Sequence, residues 1–186
     1  MQKNIDDLYF IYVMKLYLRP ATIKDAAHII MWRNSEKVRK HCMTKTLITE
    51  KSHLKFYEEK ILTGKYKQFI VERVEEELGL AAYPIATVYL KDIDNDNKRC
   101  ELCIFTSNDI EWAIDSQTMA IKMLLEKAFK EYGMHKVYSY VIYNVNEGME
   151  VLKSAGFSIE SIQKSEALIE GKYTDVYRLC IFNPEK

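Results

Sequence analysis

The sequence CELCIFTSNDIEWAIDSQTMAIKMLLEKAFKEYGMHKVYSYVIYNVNEGMEVLKSAGF occupies residues 100–157 and decides the fold. Its pattern predicts a strand at residues 100–107, a turn, a long amphipathic helix, a second strand at residues 136–143, a short helix and a closing Gly-Phe pair. A helix that begins at the end of a strand suits a ligand that carries phosphate, because the N–H groups of its first turn are free. The turn at residues 110–117 contains no glycine, although a backbone that approaches a phosphate closely usually needs one.

The long helix, at residues 116–132, is the clearest element of the sequence. Apolar residues recur at helical spacing on one face, and the opposite face is charged. Asp115 or Ser116 is suited to cap its start, and Gly133 suits the position after its last residue. With Asp115 as the N-cap, its carboxylate would occupy the site that a phosphate would use.

The remaining elements predict a mixed α/β (α+β) domain with a mainly antiparallel sheet. Thr22 and Thr49 are N-cap candidates for two further helices, which end near residue 34 and at Gly64 and are joined by a polar loop. Further strands are predicted at residues 15–19, 68–73, 85–90, 158–163 and 176–181, and the Asp- and Asn-rich residues 92–98 predict a hairpin turn. We therefore expect a single domain at residues 15–186, preceded by an extension of residues 1–14.

The composition disfavours several classes of partner. The 27 basic and 27 acidic residues cancel, so the chain has no overall field that would attract nucleic acid or an anionic membrane. The apolar patch at residues 8–14 is much shorter than a transmembrane span. Cys100 and Cys103 are three residues apart in a strand and point to opposite faces, which disfavours a metal or redox pair. We expect a cytoplasmic protein with reduced thiols and without a metal.

Five segments, in this order, resemble the GNAT superfamily of acyl-CoA-dependent N-acetyltransferases. They are residues 18–34 (LRPATIKDAAHIIMWRN), 100–105 (CELCIF), 120–141 (AIKMLLEKAFKEYGMHKVYSYV), 151–157 (VLKSAGF) and 170–179 (EGKYTDVYRL). Within the superfamily, the chain looks most like the branch that acetylates ribosomal-protein N-termini, polyamines and amino-sugar nucleotides. The resemblance implies acetyl-CoA as co-substrate and a sheet whose central strand pair splays apart at one end.

The resemblance also implies where acetyl-CoA binds. In the family, the pantetheine arm lies between the splayed strands and the pyrophosphate rests on the start of the long helix. The implied cofactor-binding residues are Ile104, Phe105 and Thr106 on the first strand, and Trp112, Ala113, Ile114, Asp115, Ser116, Gln117 and Thr118 at the helix start. Asn144 would contact the arm, or Asn146 in its place, since the register is open there.

Two segments depart from the family pattern, the loop at the start of the long helix and the short helix. The family loop reads Gln/Arg-x-x-Gly-x-Gly/Ala, where this chain has Trp112, Asp115 and Gln117, and Asp115 adds negative charge beside a diphosphate. Many members place a proton-donating tyrosine on the short helix, where this chain has Leu152; Tyr143 is a nearby substitute. An alternative function is therefore a GNAT-fold binding protein that no longer uses acetyl-CoA.

The remaining candidate residues concern the base and the acceptor. Glu101 matches the family position from which a carboxylate deprotonates the attacking amine through water; the alternative is a glutamate on a solvated strand face. Trp32, Arg33 and Asn34 end the first helix beside the expected substrate loop, with helix-end packing as the alternative. The expected acceptor is a small-molecule amine, best matched by an amino-sugar nucleotide, or a peptide N-terminus. A second copy of the chain is a candidate partner.

Overall fold

A seven-stranded sheet runs through the protein in a computed structural model that describes residues 15–39, 42–75, 81–105, 107, 112–143 and 145–185. Its strands are β1 (Lys15–Pro20), β2 (Lys67–Glu75), β3 (Ala81–Asp94), β4 (Arg99–Phe105), β5 (Lys136–Ile142), β6 (Ser158–Ile169) and β7 (Lys172–Phe182). They lie in the order β1-β2-β3-β4-β5-β7-β6. Every neighbouring pair is antiparallel except β4 and β5, which are parallel. The predicted mixed, mainly antiparallel sheet is confirmed. Residues 1–14, predicted to be an extension, lie outside the described residues.

Five α-helices flank the sheet in the described part of the chain. They are α1 (Ala26–Asn34), α2 (Glu36–Arg39), α3 (Glu50–Phe56), α4 (Ile114–Glu126) and α5 (Asn146–Ser154), and π-helical turns Tyr57–Ile61 and Lys127–Glu131 extend α3 and α4. As predicted, Thr49 caps α3 by accepting a hydrogen bond from the Ser52 N–H, and Gly133 follows α4 with a positive φ of 65°. The polar loop predicted after residue 34 was wrong in part, because it contains α2. No helix among the described residues is long and apolar enough to cross a membrane.

The main hydrophobic core lies between one face of the sheet and the helices α4 and α5. Strand alternation sends Cys100 and Leu102 of β4 into this core and leaves Glu101 and Cys103 on the other face. Other fully or almost fully buried members of the core are Val71, Val88, Ile121, Leu124, Val137, Val151 and Leu179. Burying side chains of this size contributes roughly 1.5–3 kcal/mol each. This packing fixes α4 against the strands that carry the candidate site.

The opposite face of the sheet is covered at one side by α1. Ile29 and Trp32 of α1 pack on Ile70 of β2, whose neighbour Val71 faces the main core. The helix is preceded by a single turn of 3-10 helix, Ile23–Asp25, with Thr22 as its N-cap, in agreement with the predicted start of this helix. The two faces of the sheet therefore have different covers, and α1 covers the side of the sheet at β2.

A buried carboxylate joins the first strand to the start of α1. Asp25 receives two hydrogen bonds from the Arg19 guanidinium, at 2.7 and 2.8 Å, and a third from the Thr22 N–H at 2.8 Å. Arg19 also donates to Glu72 of β2 at 2.6 Å. Burial, the largest single influence, raises the pKa of Asp25, but the hydrogen bonds from Arg19 and Thr22 together outweigh it and hold the pKa below its usual value.

Replacing this carboxylate tests its contribution to folding. We expect Asp25→Asn to lower the free energy of unfolding by about 1–3 kcal/mol at pH 7, because the charge-assisted bonds to Arg19 are lost. A lowered folded-state pKa means that the stabilisation is complete above the carboxyl's unfolded pKa of about 4 and is lost as the pH falls through the folded-state value. Urea denaturation of wild type and variant should therefore show a gap that closes below pH 4.

The exposed Asp96 supplies the matched control for that series. Asp96→Asn should change the free energy of unfolding by less than about 0.5 kcal/mol at either pH. A gap between wild type and Asp25→Asn that stays constant from pH 7 to pH 3 would contradict an ionic origin for the stabilisation.

Candidate active site

The parallel strands β4 and β5 pair over only three residues. The ladder joins Arg99 to Lys136, Cys100 to Val137 and Glu101 to Tyr138, and no further rung forms between the described residues, although β4 runs on to residue 105 and β5 to residue 142. Just beyond the last rung, the buried Ser139 hydroxyl donates to the Leu102 carbonyl at 2.8 Å. The predicted splayed pair is confirmed, and no rung with β5 forms at residues 103–105 of β4.

Glu101 lies at the last rung of this ladder. The residue is only 5% exposed, so the interpretation of a solvated glutamate was wrong. One carboxylate oxygen lies 3.1 Å from the Lys91 ammonium, and the other accepts a hydrogen bond from the Cys103 thiol at 3.0 Å. The structure therefore holds a buried carboxylate, paired with a cation, at the point where the two strands part.

The neighbours of Glu101 have shifted proton affinities. Burial, followed by the negative charge of Glu101, raises the pKa of Cys103 well above its usual value, so the sulfur is a neutral thiol that donates to the carboxylate. Burial lowers the pKa of Lys91, but the negative charge of Glu101 and its hydrogen bond to the ammonium outweigh burial, so the pKa is raised overall. Lys91 therefore stays an ammonium ion beside Glu101. A protonated Cys103 is a poor nucleophile and a poor metal ligand.

Aromatic side chains form a continuous row from α3 to β4. Phe56 meets Tyr66 edge to face with ring centroids 5.1 Å apart, Tyr66 stacks on Tyr89 at 5.9 Å, and Tyr89 meets Phe105 at 5.3 Å. The sequence analysis missed both Lys91 and Tyr89. Their alternate spacing in β3 places them on one face, but their proximity to Glu101 depends on the register of β3 with β4, which pairs Lys91 with Glu101 and Tyr89 with Cys103.

Helix α4 begins earlier than predicted and without a capping side chain. Its N-cap is Ala113, whose carbonyl accepts the Gln117 N–H at 3.0 Å, so the prediction of Asp115 or Ser116 as the cap was wrong. The backbone turns directly from an extended Ala113 into the helix, and this places Asp115 in the first turn, where its exposed carboxylate complements the helix dipole. Asp115 is therefore free of the capping bond that the sequence suggested.

The other predicted cradle residues face the protein to different degrees. Trp112 is buried in the main core, and the side chains of Ser116, Gln117 and Thr118 are buried as well, whereas Ala113 is exposed and Ile114 is half-buried. The Gln117 amide donates to the Trp112 carbonyl at 3.2 Å and to the Glu147 carboxylate at 2.8 Å. This amide ties the start of α4 to the start of α5.

A surface cleft of about 620 Å³ opens where these two helices begin. It is lined by Ala113, Ile114, Asp115, Glu147 and Glu150. Three of these five residues are acidic, and none of the five is basic. The cleft lies at the position predicted for the pyrophosphate, and its charge is unfavourable for an anion.

The residues considered as a proton donor have other contacts. Leu152 is 4% exposed and packs in the main core. Tyr143 is exposed and stacks on Tyr177, with ring centroids 5.8 Å apart. Ile104 and Phe105 lie on β4 beyond the last rung and are half-buried, while Thr106 and Asn144 lie outside the described residues. Contact of these residues with acetyl-CoA stays a prediction.

The predicted substrate residues at the end of α1 hold the following loop. The Trp32 ring is buried against Ile29 and Ile70. Arg33 is buried and donates to the Thr44 carbonyl at 2.6 Å, and Asn34 exchanges two hydrogen bonds with the backbone of Ile48, at 2.7 and 2.9 Å. These contacts correspond to helix-end packing and loop anchoring. Contact of the three residues with the acceptor stays a prediction.

A family model described as acetyltransferase (GNAT) domain matches residues 18–177. The chain belongs to the GNAT acetyltransferase family. The spermidine N(1)-acetyltransferase of Escherichia coli (strain K12) is 24% identical over 165 residues, which are 89% of this chain and 84% of the relative. The probable N-acetyltransferase YjcK of Bacillus subtilis (strain 168) is 32% identical over 68 residues, which are 37% of this chain and 38% of the relative.

Solved structures confirm the GNAT fold. The spermidine N-acetyltransferase from Vibrio cholerae, in complex with CoA and spermine, matches with a TM-score of 0.81 at 21% identity, over 90% of this chain and 95% of that one. As a GNAT family member, the protein is an N-acetyltransferase with acetyl-CoA as its co-substrate.

The two ends of the site suit acetyl-CoA unequally. Beyond Glu101, β4 offers the unpaired backbone that a pantetheine arm requires, so the residues fit the thioester end. At the start of α4, the free N–H groups and the helix dipole favour a diphosphate, but Asp115, Glu147 and Glu150 oppose it. We therefore expect the strands rather than the helix start to supply most of the affinity for the donor.

The charge of Asp115 can be tested directly. We expect Asp115→Asn to bind CoA about fivefold more tightly in a calorimetric titration, because one negative charge close to a diphosphate in water opposes binding by about 1 kcal/mol. Glu131→Gln, at the far end of the same helical segment, is the matched control and should leave the affinity unchanged. Weaker binding by Asp115→Asn would show instead that the carboxylate contributes a favourable contact.

Proposed function

We propose that this GNAT enzyme transfers the acetyl group of acetyl-CoA to a primary amine of a small molecule, with Glu101 as the base. The observation that supports the proposal is the position of Glu101: a buried carboxylate, held by Lys91 and Cys103, at the rung where β4 and β5 part. A base is needed there because an acceptor amine arrives as an ammonium ion, which has no lone pair with which to attack.

The side chains around Glu101 set its role. Lys91 forms an ion pair with the carboxylate, and the Cys103 thiol donates to one of its oxygens and fixes its orientation. Glu101 takes the proton of the ammonium through a water molecule, and the backbone N–H groups of β4 beyond the last rung polarise the thioester carbonyl. Acetyl-CoA supplies that thioester. The neutral amine then attacks the carbonyl carbon directly.

A dedicated proton donor for the leaving thiolate is not required by the chemistry. Leu152 stands where many family members have a tyrosine, and it cannot donate a proton. A free thiol has a pKa near 8.5, so CoA departs as a thiolate far more readily than an amine departs as an amide anion. Loss of that tyrosine therefore leaves the proposed reaction intact, and the alternative of a protein that only binds is not favoured.

The class of acceptor is part of the proposal. The names of the Escherichia coli and Vibrio cholerae relatives point to polyamines, and the sequence pattern points to an amino-sugar nucleotide or a peptide N-terminus. The row from Phe56 to Phe105 and the enclosed position of Glu101 support a small molecule over a peptide. A homodimer and a cytoplasmic location remain predictions of the sequence.

Substitution of the base tests the mechanism. With the acceptor that gives the fastest release of CoA thiol, Glu101→Gln should lower kcat by roughly 10²–10⁴-fold and leave KM for acetyl-CoA little changed. In this variant only amine that is already neutral can react, so its rate should rise about tenfold per pH unit up to the pKa of the acceptor. The wild type should depend on pH much less steeply.

Two further measurements serve as controls for this experiment. Glu126→Gln, at an exposed glutamate of α4, should retain wild-type activity, and thermal melting should establish that Glu101→Gln is folded. Full activity of Glu101→Gln would rule out Glu101 as the base. If no acceptor among spermidine, UDP-glucosamine and a short peptide releases thiol, and CoA binds more weakly than about millimolar, the proposed enzymatic function is wrong.

A further inference from the structure

Two tyrosines mark the surface beside the proposed base. Tyr138 forms the last rung with Glu101, and Tyr140 follows two residues later on the same face of β5. Their rings meet edge to face at 5.8 Å. β5 no longer pairs with β4 at Tyr140. The two rings therefore extend the proposed acceptor surface from Glu101 toward β7.

Arg178 of β7 occupies the faces of both rings. It pairs with Tyr140 in the register of β5 and β7, and its guanidinium carbon lies 4.2 Å from the centroid of Tyr138 and 5.9 Å from that of Tyr140. The side chain is 24% exposed, although its Nε is buried. The protein's own cation therefore fills the aromatic position that a cationic acceptor would otherwise use.

The charged side chains on this surface form two groups, one at each end of the surface. At the first end, Lys91 lies near two carboxylates, 3.1 Å from Glu101 and 3.8 Å from Asp92. At the second end, the single carboxylate of Glu160 is shared by two cations, Lys136 and Arg178, with 3.3 Å between its oxygen and the Arg178 Nε. The first end has one negative charge in excess and the second end has one positive charge in excess.

Tyr138 lies between these two ends, and charged groups at both ends affect its pKa. Its pKa is raised, first by burial and then by the negative charges of Glu101 and Asp92, whereas Arg178 acts in the opposite direction. A ligand that spans Tyr138 thus meets negative charge where its amine must be deprotonated and positive charge at the other side of the ring. A polyamine would place a second ammonium group at the positive end.

We infer that the acceptor is an amine that also carries an anionic group, a phosphate or a carboxylate, and that Arg178 binds this group. The inference rests on the proposed function for the placement of the amine at Glu101, and it names the class of acceptor that the site selects. A planar guanidinium held by two aromatic rings presents its remaining N–H groups in the fork that phosphate and carboxylate oxygens match. Arg178 is then a specificity-determining residue.

Matched pairs of amines test the inference by binding alone. Calorimetric titrations with glucosamine and glucosamine 1-phosphate isolate a phosphate, and titrations with propylamine and β-alanine isolate a carboxylate. We expect the wild type to bind the anionic member of at least one pair about tenfold to a hundredfold more tightly. Arg178→Met should remove this preference, so that the two members of each pair bind with about equal affinity. Lys130→Met, which removes an exposed cation of the π-helical turn after α4, should behave like the wild type.

Other outcomes would overturn the inference. Equal affinity within both pairs would do so, and so would a folded Arg178→Met that keeps the preference. If Arg178→Met does not fold, Glu160→Gln decides, because removing the competing carboxylate should increase the preference about twofold to fivefold, whereas a purely structural Arg178 predicts no increase.

Turnover with the same amines separates this inference from the proposed function. Release of CoA thiol with spermidine but not with the anionic amines would support acetyl transfer and refute the assigned acceptor class. An anion preference that depends on Arg178, without thiol release from any amine, would support the anion site and refute the enzymatic function.

Discussion

The structure depends on the early end of the ladder between β4 and β5. Backbone N–H and C=O groups within a sheet are almost always paired, so two adjacent strands that stop pairing after Glu101 and Tyr138 leave groups that need another partner. Ser139 satisfies one of them by donating to the Leu102 carbonyl. We propose that the others bind an extended donor between the strands.

The packing of α4 maintains this separation. The helix connects the two strands, and its buried residues, such as Ile121 and Leu124, contact the same core as Leu102 and Val137. Both strands are therefore fixed to a common layer, although the ladder between them ends at Glu101 and Tyr138. Strand alternation places successive residues of β4 on opposite faces of the sheet. Leu102 packs in the core, while Glu101 and Cys103 lie on the face of the proposed acceptor site.

The sequence predicted the elements better than the contacts of the site. Local signals were sufficient for the cap at Thr49, the glycine after α4 and the succession of strands along the chain, because each depends on neighbouring residues. The start of α4 at Ala113 was missed because no side chain caps it, so no residue type marks it. The burial of Glu101 and its bond to Lys91 could not be predicted, since they arise from the register between β3 and β4, over residues that are ten apart in the chain.

The fold and the proposed acceptor surface depend on different parts of the sequence. The parted strands and α4 are set by backbone geometry and core packing, which the Vibrio cholerae structure shares at 21% identity. The acceptor surface is set by side chains on β3, β5 and β7, where a substitution changes charge without disturbing the core. In this chain, Arg178 covers the aromatic faces and Glu160 is outnumbered by cations. We propose that a surface of this kind repels the far end of a polycation while Glu101 attracts its near end, so the proposed acceptor class follows from the distribution of charge rather than from the fold.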